Sequence, residues 1–398
     1  MLRSTLLLIA CLAAVAGCSD GSRSVTVGQD GNDPSEIHFP SSTSTEFEAA
    51  IEAGADPSGP RAETIPGVGV VVGAPAAVPQ RLTADEDIDS EHEASFVQEP
   101  AFYLAWYDGA DPIRVSMPDD VSHLLRQVVA AGGSRDRVVV AFSSCAHAYY
   151  YEAGDTRPYD CTQELWAVTS GSDVATPISL PDEIAASSSP IFSISASESL
   201  IRVNHENGMF QTTAKELSWQ RLGDGVPTIG GPNRMCTLAD GTIVGLDPTN
   251  ETQLRILAPS EDASWTELVS EPAAPTGLNE LLCGPNVAYR VSFGPSNFKL
   301  VRATVGETTA IDNPLAAEYG PTRWKVDQIT GDLAATVDAE GSGSMLRWGQ
   351  QTSTIETIEA TEAEYIDSSG ERRQFVTDSG VPYERGSDGS LTLKPRNQ

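Results

Sequence analysis

The sequence of 398 residues predicts an all-β chain built as a β-propeller, with seven blades or, as the alternative, six. Three observations carry this expectation. Strand-like segments recur with apolar anchors at Leu104, Leu165, Phe210, Leu254, Leu300, Leu346 and Leu391, spaced 61, 45, 44, 46, 46 and 45 residues apart. A second strand-like segment precedes most anchors, as in "RVVVAFSS", "ESLIRVN", "GTIVGLD", "NVAYRVS" and "DLAATVD", with turn residues between the two. The span from about residue 95 to the last residue holds close to seven such periods. A small sheet with two apolar faces cannot hide both alone, so neighbouring repeats must stack on it. A β-sandwich spaces its strands every 8–12 residues or so without such a superperiod.

Taken in order along the chain, residues 1–17 read as a cleaved leader. One positive charge precedes Leu6–Ala16, an uncharged run of eleven residues. A spanning helix needs about 20 apolar residues, so this run fits a secretory signal instead. The stretch Val15-Ala16-Gly17-Cys18 resembles the lipobox of bacterial lipoproteins. That resemblance implies that Cys18 is acylated, as by palmitate, and becomes the first mature residue. It also implies export and anchoring to the bacterial cell membrane or outer membrane, with the domain outside the cytoplasm. Gly17-Cys-Ser19-Asp-Gly21 also matches G-x-S-x-G, but that motif needs a strand before it and a helix after it.

Residues 18–65 are rich in Gly, Ser, Pro, Asp and Glu and are expected to form a disordered tether. Within them, "TEFEAAIEAG" predicts one short helix. Thr45 and Glu48 have capping-box spacing, Phe47, Ala50 and Ile51 share a face, and Gly54 can end it. The propeller domain is then expected over 66–398. "GVGVVVGAPAAVP" at 67–79 reads as a buried or edge strand that completes the first or last blade. Its glycines do not have the spacing of a dinucleotide site. An acidic linker follows at 84–95. Asp85, Asp87 and Asp89 alternate as in a calcium loop, yet Ser90 and Phe96 stand where Gly and Glu are required.

The long first step of the repeat contains "CAHAYYYEAGDTRPYDC" at 145–161, an insertion into one blade. It gathers His147, Tyr149, Tyr150, Tyr151 and Tyr159. Tyrosine offers an apolar face and a polar tip, which suits recognition of sugar or peptide, so Tyr149, Tyr150 and Tyr151 are the candidate ligand-binding residues. Packing on the blade is the competing role for these rings. Trp106, Trp166, Trp219, Trp265 and Trp348 are expected to pack between blades.

Four cysteines lie beyond Cys11 and Cys18. In an exported chain they predict two disulfides. Cys145 and Cys161 bracket the insertion, so they are expected to pair. Cys236 and Cys283 are 47 residues apart, one repeat, and are expected on corresponding strands of adjacent blades.

Net charge is −31, with only four Lys among the cations. Nucleic-acid binding needs a basic face, so no nucleic-acid partner is expected. No H-E-x-x-H, H-x-H or P-loop spacing occurs, and neither cofactor nor metal nor catalytic set is assigned. Ser260-Glu-Asp262-Ala-Ser-Trp265 resembles a degenerate Asp-box of sialidase-like propellers, but none of that family's catalytic residues maps onto this sequence. The expected function is a surface-tethered, non-catalytic module binding an envelope protein or glycan. Alternatives are a lipid-anchored hydrolase or lyase acting on glycans, through paired carboxylates, and a structural subunit of an envelope assembly.

Overall fold

The computed structural model describes residues 37–39, 44–58, 60–78, 92–94, 96–107, 110–118, 124–150, 155–213, 216, 218–222, 235–247, 254–268, 278–293, 299–304, 307–311, 321–326, 331–337, 345–348, 355–358, 364–366, 372–374, 383–385 and 391–393. Among these, six antiparallel meanders follow one another along the chain. Sheet I joins Ala62–Ile65, Gly69–Gly73, Ala101–Trp106 and Ile113–Ser116. Sheet II joins Leu125–Ser134, Arg137–Tyr150, Asp155–Thr169 and Thr176–Ile178. Sheet III joins Ser193–Ala196, Leu200–His205, Gly208–Thr213 and Gln220–Arg221. Sheet IV joins Met235–Thr237, Ile243–Leu246, Leu254–Leu257 and Thr266–Leu268. Sheet V joins Leu278–Cys283, Ala288–Phe293, Lys299–Thr304 and Glu307–Ile311. Sheet VI joins Pro321–Val326, Leu333–Val337, Met345–Trp348 and Ile355–Ile358.

The first strands of sheets I to VI touch in chain order, each sheet beside the next. This is the arrangement of a β-propeller. The repeat anchors explain themselves in it: Leu104, Leu165, Phe210, Leu254, Leu300 and Leu346 each sit on the third strand of a sheet. Leu391 lies on the middle strand of a further three-stranded sheet, in which Leu391–Leu393 pairs with Tyr383–Arg385 and with Ile37–Phe39. Strand Gly69–Gly73, expected in the first or last blade, is the second strand of sheet I.

The core is made between sheets. In Arg137–Tyr150 alternate residues go to different neighbours, as a strand's period of two dictates. Val138, Val140 and Phe142 join Phe102, Leu104 and Trp106 of sheet I in one cluster. Val139 and Ala141 join Ile194, Ile201 and Phe210 of sheet III in another. Because both faces of the strand are covered, it reads as a continuous apolar run. Similar clusters bind sheet III to IV through Met209, Met235 and Leu257, and IV to V through Leu246, Leu254, Leu281 and Ala288. Sheets II and III approach so closely that a Cβ at Gly132 would stand 2.3 Å from the Ile194 carbonyl oxygen.

Polar groups also cross between sheets. On sheet III Arg202 is buried, and its Nη1 and Nη2 donate to the carbonyls of Ala258 (2.6 Å) and Ser260 (2.5 Å) beyond the third strand of sheet IV. Arg290 holds the corresponding third position of the second strand in sheet V and is equally buried, but its Nε and Nη1 have no hydrogen-bond partner. Burial lowers the pKa of both guanidinium groups.

The segment expected to be a tether contains structure before residue 66. Ala62–Ile65 is the first strand of sheet I, so the domain boundary moves toward the N-terminus. Ile37–Phe39 pairs near the C-terminal end of the chain. The expected helix forms over Thr45–Glu52, capped by Ser44 rather than Thr45: the Ser44 hydroxyl accepts from the Phe47 amide at 3.0 Å. Phe47 is buried. The helix sits against strands Ala76–Val78 and Val97–Gln98, which form a small sheet with Asp56–Ser58. Part of the expected acidic linker, His92–Ala94, is a strand; Asp85, Asp87 and Asp89 lie outside the described residues.

Candidate functional site

In a meander of four strands, the first-to-second and third-to-fourth turns share one end of the sheet. The second-to-third and fourth-to-first connections share the other. Two long excursions both leave from second-to-third connections, so both lie at the same end. One is residues 74–100 of sheet I, and the other is the extended hairpin of sheet II.

The two excursions pair with each other. His92–Ala94 runs antiparallel to the hairpin, with Ala94 opposite His147, Glu93 opposite Ala148 and His92 opposite Tyr149. On its other side the hairpin strand pairs His147 with Pro158, Tyr149 with Thr156 and Tyr150 with Asp155. The result is a three-stranded ribbon standing on the boundary of sheets I and II.

The base of this ribbon is rigidly held. Cys145 and Cys161 are bonded across its neck, with Cα atoms 4.0 Å apart. The Gln98 side chain donates to the carbonyls of Ala74 (2.8 Å) and Arg126 (2.9 Å) and accepts from the Arg126 amide (2.9 Å). Arg126 is buried and pairs with Glu164 at 3.0 Å. Glu164 also accepts from Ser144 and, at 2.9 Å, from the Trp166 indole. Beside it, Arg114 bonds Glu99, and the Tyr103 hydroxyl donates to Glu99 at 3.3 Å. Burial, and then the Glu99 charge, push the Tyr103 phenol up to about 12. Burial pulls Arg114 down, but Glu99 outweighs it and holds that guanidinium above its ordinary value.

The opposite end is different. Gly67, in the first-to-second turn of sheet I at φ +68°, lies against Ala239 and Pro285, which belong to the first-to-second turns of sheets IV and V. Those two turns are joined by the Ala239 amide donating to the Pro285 carbonyl at 2.8 Å. Three turns, from sheets I, IV and V, thus meet at that end. A cleft of 240 Å³ opens there between sheets I and II, walled by Leu104, Trp106, Ile113 and Val168 with Asp111 and Arg135. The Arg135 guanidinium lies 5.5 Å from the Trp106 ring centroid.

Cys18 lies outside the described residues. Cys145 bonds Cys161, and Cys236 bonds Cys283 between the first strands of sheets IV and V, with Cα atoms 5.9 Å apart. Tyr149 and Tyr150 are consecutive on a strand and so belong to opposite faces of the ribbon; Tyr151 lies outside the described residues. Trp106 and Trp166 are buried between sheets I and II, whereas Trp219 and Trp265, next to outermost fourth strands, are half-buried. Sequence spacing missed His92, because only strand pairing brings it to Tyr149.

No family model matches this chain, and no curated protein does. Solved structures match at low similarity. TolB from Acinetobacter baumannii is 11% identical, with a TM-score of 0.33 over 69% of this chain and 80% of its own. Dipeptidyl peptidase 4 from Porphyromonas gingivalis is 9% identical, with a TM-score of 0.41 over 81% of this chain and 62% of its own. A chain of the nidogen/laminin complex is 10% identical, with a TM-score of 0.33 over 67% of this chain and 93% of its own. The architecture itself stands on the strand pairings. The two disulfides fit an oxidising, non-cytoplasmic compartment. Among the described residues no helix is long and apolar enough to cross a membrane.

Proposed function

We propose that this protein is an exported lipoprotein, anchored through acylated Cys18, whose seven-bladed propeller binds an envelope protein or glycan without turning it over. The observation that carries the reading is the difference between the two ends of the sheet assembly. At one end turns of three sheets meet, with Gly67 against Ala239 and Pro285. The other carries a ribbon built from two separate blades and pinned by a disulfide. A recognition surface needs a supported scaffold, and strands give more precise positions than free loops. Tyr149 and Tyr150 are consecutive positions of that ribbon, and at least one of them is taken to meet the ligand.

The same contact supports seven blades. In a seven-membered ring the point opposite sheet I falls between sheets IV and V, and Gly67 meets turns from both. In a six-membered ring that point falls on sheet IV alone. The seventh position belongs to the chain beyond sheet VI, with Ile37–Phe39 added to Leu391–Leu393 as the closing strand.

A photoreactive residue placed at Tyr149 or at Tyr150 in intact cells tests the binding face. Discrete adducts are expected from one or both of these positions, and none from the same residue placed at Ser170 on the opposite end. Adducts from Ser170 alone would overturn the assignment. Detergent partition tests the anchor: wild type enters the detergent phase, and Cys18→Ala remains unprocessed or is released from membranes.

A further inference from the structure

We propose that the cleft between sheets I and II binds a small zwitterion with an apolar side chain, a free amino acid of about the size of leucine. The floor of the cleft is apolar and consists of Leu104, Trp106, Ile113, Val138 and Val168. All but Ile113 are buried in the cluster that joins the two sheets, and Ile113 packs on that cluster. The rim is charged, with one group from each sheet. Asp111 comes from the third-to-fourth turn of sheet I and Arg135 from the first-to-second turn of sheet II, and both are exposed. The Arg135 guanidinium lies 5.5 Å from the Trp106 ring centroid, a cation–π contact that sets it at the mouth. An apolar floor beneath a few placed polar groups is the make-up of a small-molecule site.

Volume and charge choose the occupant. The cleft measures 240 Å³. An apolar cavity of about 150 Å³ holds benzene, so this one suits a molecule of about ten heavy atoms. The turn after the third strand of sheet II leaves room beside it. A Cβ on Gly171, which lines the cleft, would meet nothing within 4 Å, whereas one on Gly133 in the neighbouring turn would stand 2.2 Å from the Arg137 carbonyl oxygen. A net charge of −31 opposes the approach of phosphate or another multiply charged anion. A zwitterion carries no net charge, and it offers a carboxylate to Arg135 and an ammonium to Asp111 while its side chain fills the floor. A sugar would need an open aromatic face, but Trp106 is 5% exposed and lies beneath Arg135. The site stands on this cleft and not on the binding-module reading. A ligand of this size adds only its own small mass at Ser170, so it is not mistaken for a macromolecular adduct.

The test is isothermal titration of the purified full chain with L-leucine, L-serine and isocaproate, which is leucine without its amino group. One equivalent of leucine should bind in the sub-millimolar range, and serine, with no apolar body, should not bind. Arg135→Gln and Asp111→Asn should each weaken leucine by about tenfold or more, since each removes a charged partner. Isocaproate should lose affinity in Arg135→Gln but not in Asp111→Asn. Asp136→Asn, in the same turn as Arg135 but not on the cleft wall, should leave leucine binding unchanged. Thermal unfolding shows whether each variant is folded; where Arg135→Gln lowers the melting temperature, Arg135→Lys keeps a cation at the mouth and should bind leucine better than the glutamine variant. No saturable leucine binding by the folded wild type, equal binding of serine, an equal loss in Asp136→Asn, or an Asp111→Asn variant that weakens leucine and isocaproate alike would each overturn the proposal.

Discussion

Gly67 lies against Ala239: a Cβ built on Gly67 would stand 2.8 Å from the Ala239 Cβ and 3.0 Å from that of Pro285. The two turns are 172 residues apart in sequence and come from sheets that are not neighbours. Gly67 is required there twice over. Its φ of +68° disfavours a side chain, and the space for one is already filled. We expect Gly67→Val to lower stability by about 3 kcal/mol or more, from strain plus collision. Gly171→Ala is the control. Its φ is +79°, but nothing lies within 4 Å, so only the backbone cost of about 1 kcal/mol should appear. Chemical unfolding of both variants checks this, and equal losses would mean that the turns do not touch.

Arg202 and Arg290 hold equivalent positions and should respond in opposite directions. Arg202 donates to the Ala258 and Ser260 carbonyls and accepts no competing role from solvent, being 1% exposed. Arg202→Met should cost about 2–4 kcal/mol, because two carbonyls lose charged donors. Arg290 is also 1% exposed, with Nε and Nη1 unsatisfied. Burying a poorly paired cation opposes folding, so Arg290→Met should be neutral or stabilising. The melting temperatures of the two variants should therefore move apart.

Tyr103 predicts a loss of stability in strong alkali. Its phenol is pushed up to about 12 by burial and the Glu99 charge, so the folded state favours the neutral form. A group whose pKa rises on folding stabilises fully below its unfolded value of about 10. That contribution is lost as pH climbs from about 10 through about 12, and on the order of 3 kcal/mol is at stake. Unfolding free energy measured across this range should fall more steeply in wild type than in Tyr103→Phe. Parallel slopes would place the alkaline transition elsewhere.

These effects also mark how far the sequence could be read. The repeat was legible because both faces of each strand are covered, as Val138 and Val139 show by serving different cores. Apolar runs therefore recur with the full blade period. The cysteine pairs were legible because one bracketed a single insertion and the other matched one repeat. The excursion of 74–100 was not, because its apolar start continues "GVGVVVG" without a break, and strand Ala101–Trp106 returns to pair with Gly69–Gly73 only in three dimensions. The His92 and Tyr149 pairing is a contact between insertions of two blades, and no local periodicity encodes it. Trp219 and Trp265 are only half-buried, yet each packs as expected against a cluster that joins two sheets, Trp219 at II and III and Trp265 at III and IV.

His38 stands opposite Thr392 in the pairing of Ile37–Phe39 with Leu391–Leu393. If this strand closes the propeller, cysteines at both positions can bond, since directly opposed residues have Cβ atoms about 4.5–5.5 Å apart and bonding needs only modest adjustment. The closed loop would span 354 residues. In the chain-entropy view such a link is worth on the order of 5 kcal/mol, less whatever strain it introduces. His38→Cys with Thr392→Cys should therefore oxidise spontaneously, and non-reducing peptide mapping should join the two positions while leaving Cys145–Cys161 and Cys236–Cys283 intact. The oxidised form should melt several degrees above its reduced counterpart. Shifting one cysteine to Ile37 while keeping Thr392→Cys moves it to the other face of the strand and should abolish bonding. A bond that forms equally well from Ile37, or from neither position, would remove Ile37–Phe39 as the proposed closing strand of the ring.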